Sequence, residues 1–247
     1  MSKYDRECSL EFSALKRRID TFFVNAAAPC PYTFPYTATY CQGMFGPLPD
    51  RVMELFLAAG YRRNGNALYT MRCRSCRKCI PIRLHPPTFT PNRNQKRVWR
   101  KNSDLDVSIA AIQPTVENMS LCDTFLQERY PGDGNRADAY YAGFFLNRIT
   151  TTCEVRYRIE GRLVGNAVVD LGENWGNAVY FFFDPAEAKR GLGTYNILTL
   201  IKLFQKKGID YLYLGYTIPG LSAMSYKMNF KPHYLYLDDK WVEGNLQ

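Results

Sequence analysis

The chain has 247 residues, of which 46% are hydrophobic, so it can bury the core of one large domain or two modest ones. Its 32 Lys and Arg against 23 Asp and Glu give a net charge of +9, which favours an anionic partner without identifying one. The polar N-terminus lacks the apolar stretch of a secretory signal, and no apolar run approaches the roughly 20 residues that span a bilayer. We therefore expect a cytoplasmic protein with no membrane partner.

The predicted elements of the first half surround a cysteine-rich loop. Apolar residues at helical spacing over 48–60 predict a helix that stops at Gly60. Residues 67–71 and 80–84 each predict a strand, and we expect the loop between them to be the tip of a hairpin. A further strand is predicted from residue 104 to residue 110.

This loop carries three regularly spaced thiols among basic residues. In a reducing cell interior such a cluster indicates metal or redox chemistry rather than disulfide bonds. With Cys30 brought near in space, the loop could supply four thiolates to zinc or to an iron–sulfur cluster, with Cys41 or His85 as alternative ligands. Reduced structural thiols without a metal are an equally open interpretation. The candidate metal ligands are Cys30, Cys73, Cys76 and Cys79.

The strongly basic segment 93–101 predicts a helix with one cationic face. Pro91 suits the first position of this helix, because proline sacrifices no intrahelical hydrogen bond there. Such a face suits the phosphates of a polynucleotide, and Trp99 could pack or stack on a base, whereas a solvated helix face is the alternative. The candidate RNA-binding residues are Arg93, Lys96, Arg97, Arg100 and Lys101.

The second half predicts strands around one long amphipathic helix. Strands are expected at 154–159, 163–171 and 178–183, the helix from about residue 186 to residue 207, and further strands at 211–214 and 234–237. We place the boundary at Gln113, which gives predicted domains of 1–112 and 113–247. The fold class is α/β (α+β), with a mixed, largely antiparallel sheet and an acetyltransferase-like second half.

A set of motifs in a fixed order supports a family resemblance. The motifs are Pro29-Cys-Pro-Tyr32, Gly60-Tyr-Arg-Arg-Asn-Gly65, the cysteine block with Ile-Pro-Ile-Arg83, Pro91-Asn-Arg-Asn-Gln-Lys-Arg97, Leu192-Gly-Thr-Tyr-Asn-Ile-Leu198, Leu214-Gly-Tyr-Thr-Ile-Pro-Gly220 and Met224-Ser-Tyr-Lys227. From about Pro29 to Trp241 the chain resembles the bacterial aspartate/glutamate leucyltransferases, which belong to the arginyl-tRNA–protein transferases.

The resemblance implies an enzyme that moves leucine from leucyl-tRNA to the N-terminal amine of proteins beginning with Asp or Glu, as a degradation signal. Its partners would be the aminoacyl-tRNA and those proteins, and the transfer would require no cofactor. Arginine as the donor remains open. Two rivals from other classes are a coenzyme A-dependent N-acetyltransferase and a non-catalytic zinc-containing RNA-binding protein.

The segment that opens the long helix is similar to the coenzyme A pyrophosphate loop of acetyltransferases. Tyr195 stands where that loop needs a small residue, so we expect no coenzyme A. In a leucyltransferase the segment would cradle the charged tRNA end or the amino acid, whereas a purely structural helix start, with Asp184 as a cap, is the alternative. The candidate residues are Asp184, Arg190, Gly193, Thr194 and Tyr195.

The candidate catalytic residues follow the strand at 211–214. Tyr226 is a candidate donor or proton relay, and Lys227 could stabilise negative charge or bind an acidic acceptor side chain. Core packing for Tyr226 and a surface role for Lys227 are equally open. Arg72 and Arg83 are alternative partners of the acceptor carboxylate, because guanidinium can bind a carboxylate through two hydrogen bonds.

Overall fold

The computed structural model describes residues 2–132 and 134–244, so residues 1, 133 and 245–247 of the predicted domains lie outside the described residues. The chain forms two compact units that are interleaved in sequence. The first unit comprises Met1–Leu84, Arg148–Thr150 and Tyr213–Gln247, and the second comprises His85–Asn147 and Thr151–Leu212. These units divide the chain differently from the predicted domains 1–112 and 113–247, which stay a prediction.

Helices and strands are mixed along the chain. The α-helices are α1 (Lys3–Ile19), α2 (Asp50–Ala58), α3 (Arg93–Lys101), α4 (Val116–Arg129), α5 (Ala137–Tyr140), α6 (Leu192–Lys207) and α7 (Ser222–Ser225). The strands are β1 (Val24–Pro29), β2 (Thr37–Met44), β3 (Arg62–Asn64), β4 (Ala67–Met71), β5 (Ile80–Leu84), β6 (Asp106–Ala111), β7 (Thr152–Ile159), β8 (Arg162–Leu171), β9 (Trp175–Phe183), β10 (Tyr211–Thr217), β11 (His233–Leu237) and β12 (Lys240–Glu243). The fold is mixed α/β, which confirms the predicted class.

The first unit contains two groups of paired strands. One is an antiparallel sheet with the order β1-β2-β4-β3. In the other the order is β12-β11-β5-β10, and β11 runs antiparallel to both β12 and β5. The predicted bounds of β4 and β5 are confirmed, but the predicted hairpin is wrong. Both edges of β4 are already paired with β2 and β3, so the cysteine segment instead connects two different groups of strands.

Helix α1 is held within the first unit by a buried ion pair. Its N-terminus is capped by Ser2, whose hydroxyl accepts from the backbone N–H of Asp5 at 3.1 Å. The Asp5 carboxylate lies 2.6 Å from the Arg83 guanidinium, and these side chains are 7% and 2% exposed. Arg83 also lies 4.3 Å from the ring centroid of Trp241. The pair ties α1 to β5.

The second unit is built on four antiparallel strands in the order β9-β8-β7-β6. Helix α4 contributes Leu121 and Phe125 to a buried apolar cluster with Val168 and Phe182 of the strands. Helix α6 approaches β9 so closely that a Cβ on Gly176 would lie 2.1 Å from the Phe204 ring. Glycine at this position is therefore required by packing.

Several predicted boundaries are corrected. Helix α6 begins at Leu192 rather than near residue 186, because Gly191 adopts a left-handed conformation with φ of 71° after a 3-10 turn over Pro185–Arg190. Helix α3 begins at Arg93 with Asn92 as its cap, so Pro91 precedes the helix. Strand β10 extends to Thr217, and the elements that the sequence analysis did not predict include α1, β1, β2, β3 and β12.

Candidate active site

Lys227 lies in the first unit, on a 3-10 turn over Tyr226–Asn229 that follows β10 and α7. Its Nζ donates to the carbonyl oxygen of Tyr216 at 2.8 Å. Burial, and then the positive charge of Arg62, lower the pKa of the Lys227 ammonium to about 7. An amine with this pKa can both accept and return a proton near neutrality. Tyr226, half-buried, begins the same turn.

Arg62 is a residue of this site to which the sequence analysis gave no role. It lies on β3 and is 8% exposed. Gly215 of β10 has a φ of 85°, and a Cβ there would lie 2.9 Å from an Arg62 guanidinium nitrogen. Glycine therefore allows the guanidinium to lie against the strand that provides the carbonyl partner of Lys227. Arg62 stands within one of the quoted motifs, but sequence spacing does not reveal that its side chain is buried.

Buried tyrosines surround the same part of the first unit. The rings of Tyr69 and Tyr216 lie 6.3 Å apart. Burial raises the pKa of Tyr69 to about 12, and burial together with Tyr69 raises the pKa of Tyr216 despite the opposing effect of Arg62. Phenols of this kind stay protonated at physiological pH, so they can donate a hydrogen bond to negative charge but cannot act as bases.

The four predicted thiol ligands are electrostatic neighbours in the first unit. Burial, and then the neighbouring thiols of Cys73, Cys76 and Cys30, together raise the pKa of the Cys79 thiol to about 12. None of these four cysteines forms a disulfide. Within residues 2–132 and 134–244, however, no three His, Cys, Asp or Glu side chains are placed to hold a metal ion. The arrangement does not fit a metal centre as it stands, and we derive no chemical step through one.

Helix α3, in the second unit, presents the predicted cations to solvent. Asn92 and Gln95 form a capping box, in which each side chain accepts from the other residue's backbone N–H at 2.9 and 2.8 Å. Lys101 is exposed and donates to the carbonyl oxygen of Lys189 at 2.7 Å. The other predicted cations are also exposed, namely Arg93, Lys96, Arg97 and Arg100. The helix is confirmed, whereas its contact with RNA stays a prediction.

The segment before α6 is held by contacts inside the second unit. The Asp184 carboxylate accepts from the backbone N–H of Ala186 at 3.0 Å and pairs with Arg162 at 2.5 Å, so Asp184 is the cap that the alternative interpretation expected. Arg190 binds Asp104 through two hydrogen bonds of 2.9 Å each.

The last part of this segment forms the first turn of α6. Tyr195 is 4% exposed and packs 5.1 Å from the ring of Trp99, while Gly193 and Thr194 are half-buried. A buried ring at position 195 leaves no open backbone surface for a pyrophosphate there. The predicted cradle for the charged tRNA end stays a prediction.

The two arginines predicted to bind the acceptor have different surroundings. Arg83 is enclosed with Asp5, so the expectation that it binds a substrate carboxylate is corrected, because a carboxylate of the chain itself already occupies it. Arg72 is exposed and lines a cavity of about 340 Å³ in the first unit, together with Lys16 and Asp239.

Within the described residues, no helix is both long and apolar enough to cross a bilayer.

Comparison with known proteins defines the class. A family model described as "Arginine-tRNA-protein transferase, N terminus" matches residues 28–97, and its counterpart for the C terminus matches residues 117–237. The chain is therefore an aminoacyl-tRNA–protein transferase, an enzyme.

Two individual relatives show which family within this class of transferases the chain belongs to. An aspartate/glutamate leucyltransferase of Saccharophagus degradans is 40% identical over 190 residues, which cover 74% of this chain and 79% of the relative. A protein of the same name from Hahella chejuensis is 35% identical over 231 residues, which cover 90% and 96% of the two chains. The chain belongs to the family of the aspartate/glutamate leucyltransferases, which confirms the resemblance seen in the motifs.

Among solved structures, a GCN5-related glucosamine N-acetyltransferase region of a fungal multi-domain protein aligns with a TM-score of 0.41 at 14% identity. The alignment covers 94% of this chain and 26% of the other. A similarity at this level carries no argument about the fold.

Proposed function

We propose that this enzyme transfers leucine from leucyl-tRNA to the N-terminal amine of proteins that begin with Asp or Glu. The names of the relatives in Saccharophagus degradans and Hahella chejuensis support this donor and these acceptors. In the reaction the amine attacks the ester carbonyl carbon, a peptide bond forms, the ester bond breaks, and the amine proton ends on the released ribose hydroxyl.

The lowered pKa of Lys227 is the observation on which the proposed mechanism depends. An N-terminal amine is partly protonated at neutral pH, and it must lose a proton before and during its attack. The Lys227 amine has a pKa lowered to about 7, so a substantial fraction is neutral and can accept that proton. The resulting ammonium can then return it to the ribose oxygen as the ester bond breaks.

The neighbours of Lys227 suit the negative charge that develops on the ester carbonyl oxygen. The Arg62 guanidinium supplies positive charge beside β10, and the protonated phenol of Tyr216 is a potential donor. Preorganised donors of this kind are among the largest contributions to acyl transfer. We assign Arg62 and Tyr216 to stabilisation of this charge, and Lys227 to proton transfer.

The exposed cations of α3 are proposed to bind the tRNA, since a helix with this charge density neutralises several phosphates. We further propose that the enzyme works in the cytoplasm without coenzyme A or another cofactor. The buried Tyr195, in place of the small residue of a pyrophosphate loop, supports the exclusion of coenzyme A.

The test is a transfer assay with purified protein, radiolabelled leucyl-tRNA or arginyl-tRNA, and peptides that begin with Asp, Glu or Ala. We expect label from leucyl-tRNA in the Asp and Glu peptides and little in the Ala peptide. Transfer of arginine instead would retain the enzyme class and overturn the donor. Absence of transfer from either tRNA, with intact aminoacyl esters and reduced protein, would refute the proposed function.

A further inference from the structure

A groove between α3 and α6, entirely within the second unit, is not used by the proposed chemistry. It has a volume of about 580 Å³. Its floor is apolar, and its rim is cationic. The floor is formed by Phe89, Leu198 and Ile201, and the rim carries Lys96, Arg100 and Lys202. We call it the α3–α6 groove.

The charged residues that line the α3–α6 groove are all positive. All three rim cations are exposed, and neither Asp nor Glu is among the residues that line the groove. A ligand that complements it must carry negative charge at the rim and an apolar surface toward the floor. An acidic side chain supplies the charge alone, whereas a nucleotide supplies a phosphate and a flat base that can bury its face.

An aromatic ring lies beside this floor. Trp99 is half-buried, and the Nζ of Lys202 lies 4.6 Å from its ring centroid. A nucleotide phosphate can draw this ammonium toward the rim, which makes the indole ring available to a base. Trp99 is also a useful reporter, because the other two tryptophans, Trp175 and Trp241, are 0% and 6% exposed.

One polar group in the lining indicates which bases fit. The Gln205 side-chain amide donates from Nε2 to the carbonyl oxygens of Pro86 and Phe89, at 2.8 and 3.3 Å. These two bonds fix the amide and leave its Oε1 as an acceptor without a partner among the described residues. Adenine, cytosine and guanine each carry an exocyclic amine that can donate to such an oxygen, whereas the N3–H of uracil lies between two carbonyl oxygens that repel the Gln205 oxygen.

We propose that the α3–α6 groove binds an unpaired RNA nucleotide whose base carries an exocyclic amine, such as adenosine or cytidine, with its phosphates on Lys202 and the neighbouring rim cations and its base on the apolar floor. This deepens the proposed function, because it assigns part of the tRNA recognition to unpaired nucleotides as well as to the charge of α3. Single-stranded RNA is commonly recognised in this way, by stacking combined with contacts to base edges.

The test measures quenching of tryptophan fluorescence by single-stranded hexanucleotides of adenosine, cytidine or uridine, with a hexaglutamate peptide as the competing ligand class. We expect saturable quenching by the first two, about fivefold tighter than by the uridine hexamer, since one hydrogen bond to a base edge separates them. Equal or tighter binding of hexaglutamate would overturn the proposal in favour of an acidic peptide site.

Two variants of α6 distinguish binding in the α3–α6 groove from attraction by the net positive charge of the helix. Lys202→Ala should weaken binding of the adenosine hexamer about fivefold and reduce the slope of log K against log salt by about 0.7. Lys206→Ala removes an exposed cation from the same helix outside the groove lining, and it should leave binding unchanged. Equal effects of the two variants would overturn the assignment to the groove.

Gln205→Met tests the base preference, and it should make the three hexanucleotides bind alike. Thermal unfolding of each variant shows whether the fold is kept. A retained preference in the folded variant would contradict the role of Gln205. Hexanucleotide binding requires no transfer, so loss of the proposed function and loss of this site give different results.

Discussion

The Nζ of Lys227 is 2.8 Å from the carbonyl oxygen of Tyr216, which places an amine with a pKa of about 7 beside the left-handed residue Gly215. The strand conformation that admits the Arg62 guanidinium next to Gly215 also brings a second positive charge close to this amine. Burial is the larger cause of the low pKa of Lys227, and the close approach of Arg62, which glycine at position 215 permits, is the second.

Replacing Lys227 should slow transfer without abolishing binding of the substrates. We expect Lys227→Met to lower kcat for leucine transfer about 10²-fold or more, the usual contribution of a general acid–base group. In the wild type kcat should rise as pH increases through about 7, where Lys227 becomes neutral, and the variant should lose this part of the rise and keep only the part due to the substrate amine. Lys231→Met, at an exposed position nearby, is the matched control. An unchanged pH profile in Lys227→Met would exclude its role in proton transfer.

The same residue should affect how stability depends on pH. Its pKa is lowered in the folded protein from an ordinary value of 10.5 to about 7. Between these values the unfolded chain binds a proton that the folded protein does not, so the free energy of unfolding should fall as pH decreases through this window. Urea unfolding at pH 7, 8 and 9 should show a smaller slope with pH in Lys227→Met than in Lys231→Met. Parallel slopes would contradict the lowered pKa.

The ion pair of Asp5 and Arg83 should be far more costly to break from one side than to replace as a whole. Arg83→Met leaves the Asp5 carboxylate enclosed without its partner, and we expect it to lower the free energy of unfolding by about 3–5 kcal/mol. Asp5→Leu combined with Arg83→Met should recover most of this loss. Chemical denaturation of the two single variants and the double variant measures the coupling, and additive losses would show that the pair is not buried in solution.

The cations of α3 should contribute to tRNA binding through their charge. We expect Arg97→Ala to weaken binding of tRNA and to reduce the slope of log K against log salt by about 0.7–0.9, the effect of one lost phosphate contact. Arg129→Ala removes an exposed cation at the end of α4 and should leave both quantities unchanged. Filter binding at several salt concentrations measures both quantities for each variant. An equal effect of the two substitutions would indicate that tRNA is attracted by the net charge of the protein alone.

Cys79 should be unreactive toward alkylating reagents in metal-free protein. Its pKa of about 12, against an ordinary 9.0, makes its thiolate fraction at pH 8 about a thousandfold smaller. Mass spectrometry after treatment with iodoacetamide and a chelator should find Cys79 modified far more slowly than in the denatured chain. Elemental analysis of the untreated protein tests in parallel for zinc and iron. Fast alkylation of the folded, metal-free protein would contradict the raised pKa.

Local signals in the sequence were sufficient for many of the elements. The bounds of β4 and β5 follow from apolar and β-branched residues next to turn residues, and the stop of α2 follows from Gly60. Helix α1 was missed, although Ser2 before an amphipathic stretch with Cys8 and Phe12 on one face is a signal that could have identified it.

Relationships between distant residues could not be obtained in this way. The hairpin of β4 and β5 was a reasonable local inference, but pairing depends on which strand edges are already occupied. The charged neighbours of Arg83 and Lys227 likewise lie far away in the sequence: Asp5 pairs with Arg83, and Arg62 lowers the pKa of Lys227. The motifs in the sequence therefore indicated where the candidate site lies, whereas the charge interactions and pKa values of its residues could be obtained only from the fold.

The cysteine segment that connects β4 to β5 carries four exposed basic side chains, Arg72, Arg74, Arg77 and Lys78. It has no partner strand along most of its length, because each flanking strand belongs to a different group of paired strands. Such a stretch is an accessible substrate for trypsin, so limited proteolysis should first cleave the chain here. The two fragments should then stay associated through the interior of the first unit. The thiols would then mark the point at which the chain can be cut without first being unfolded.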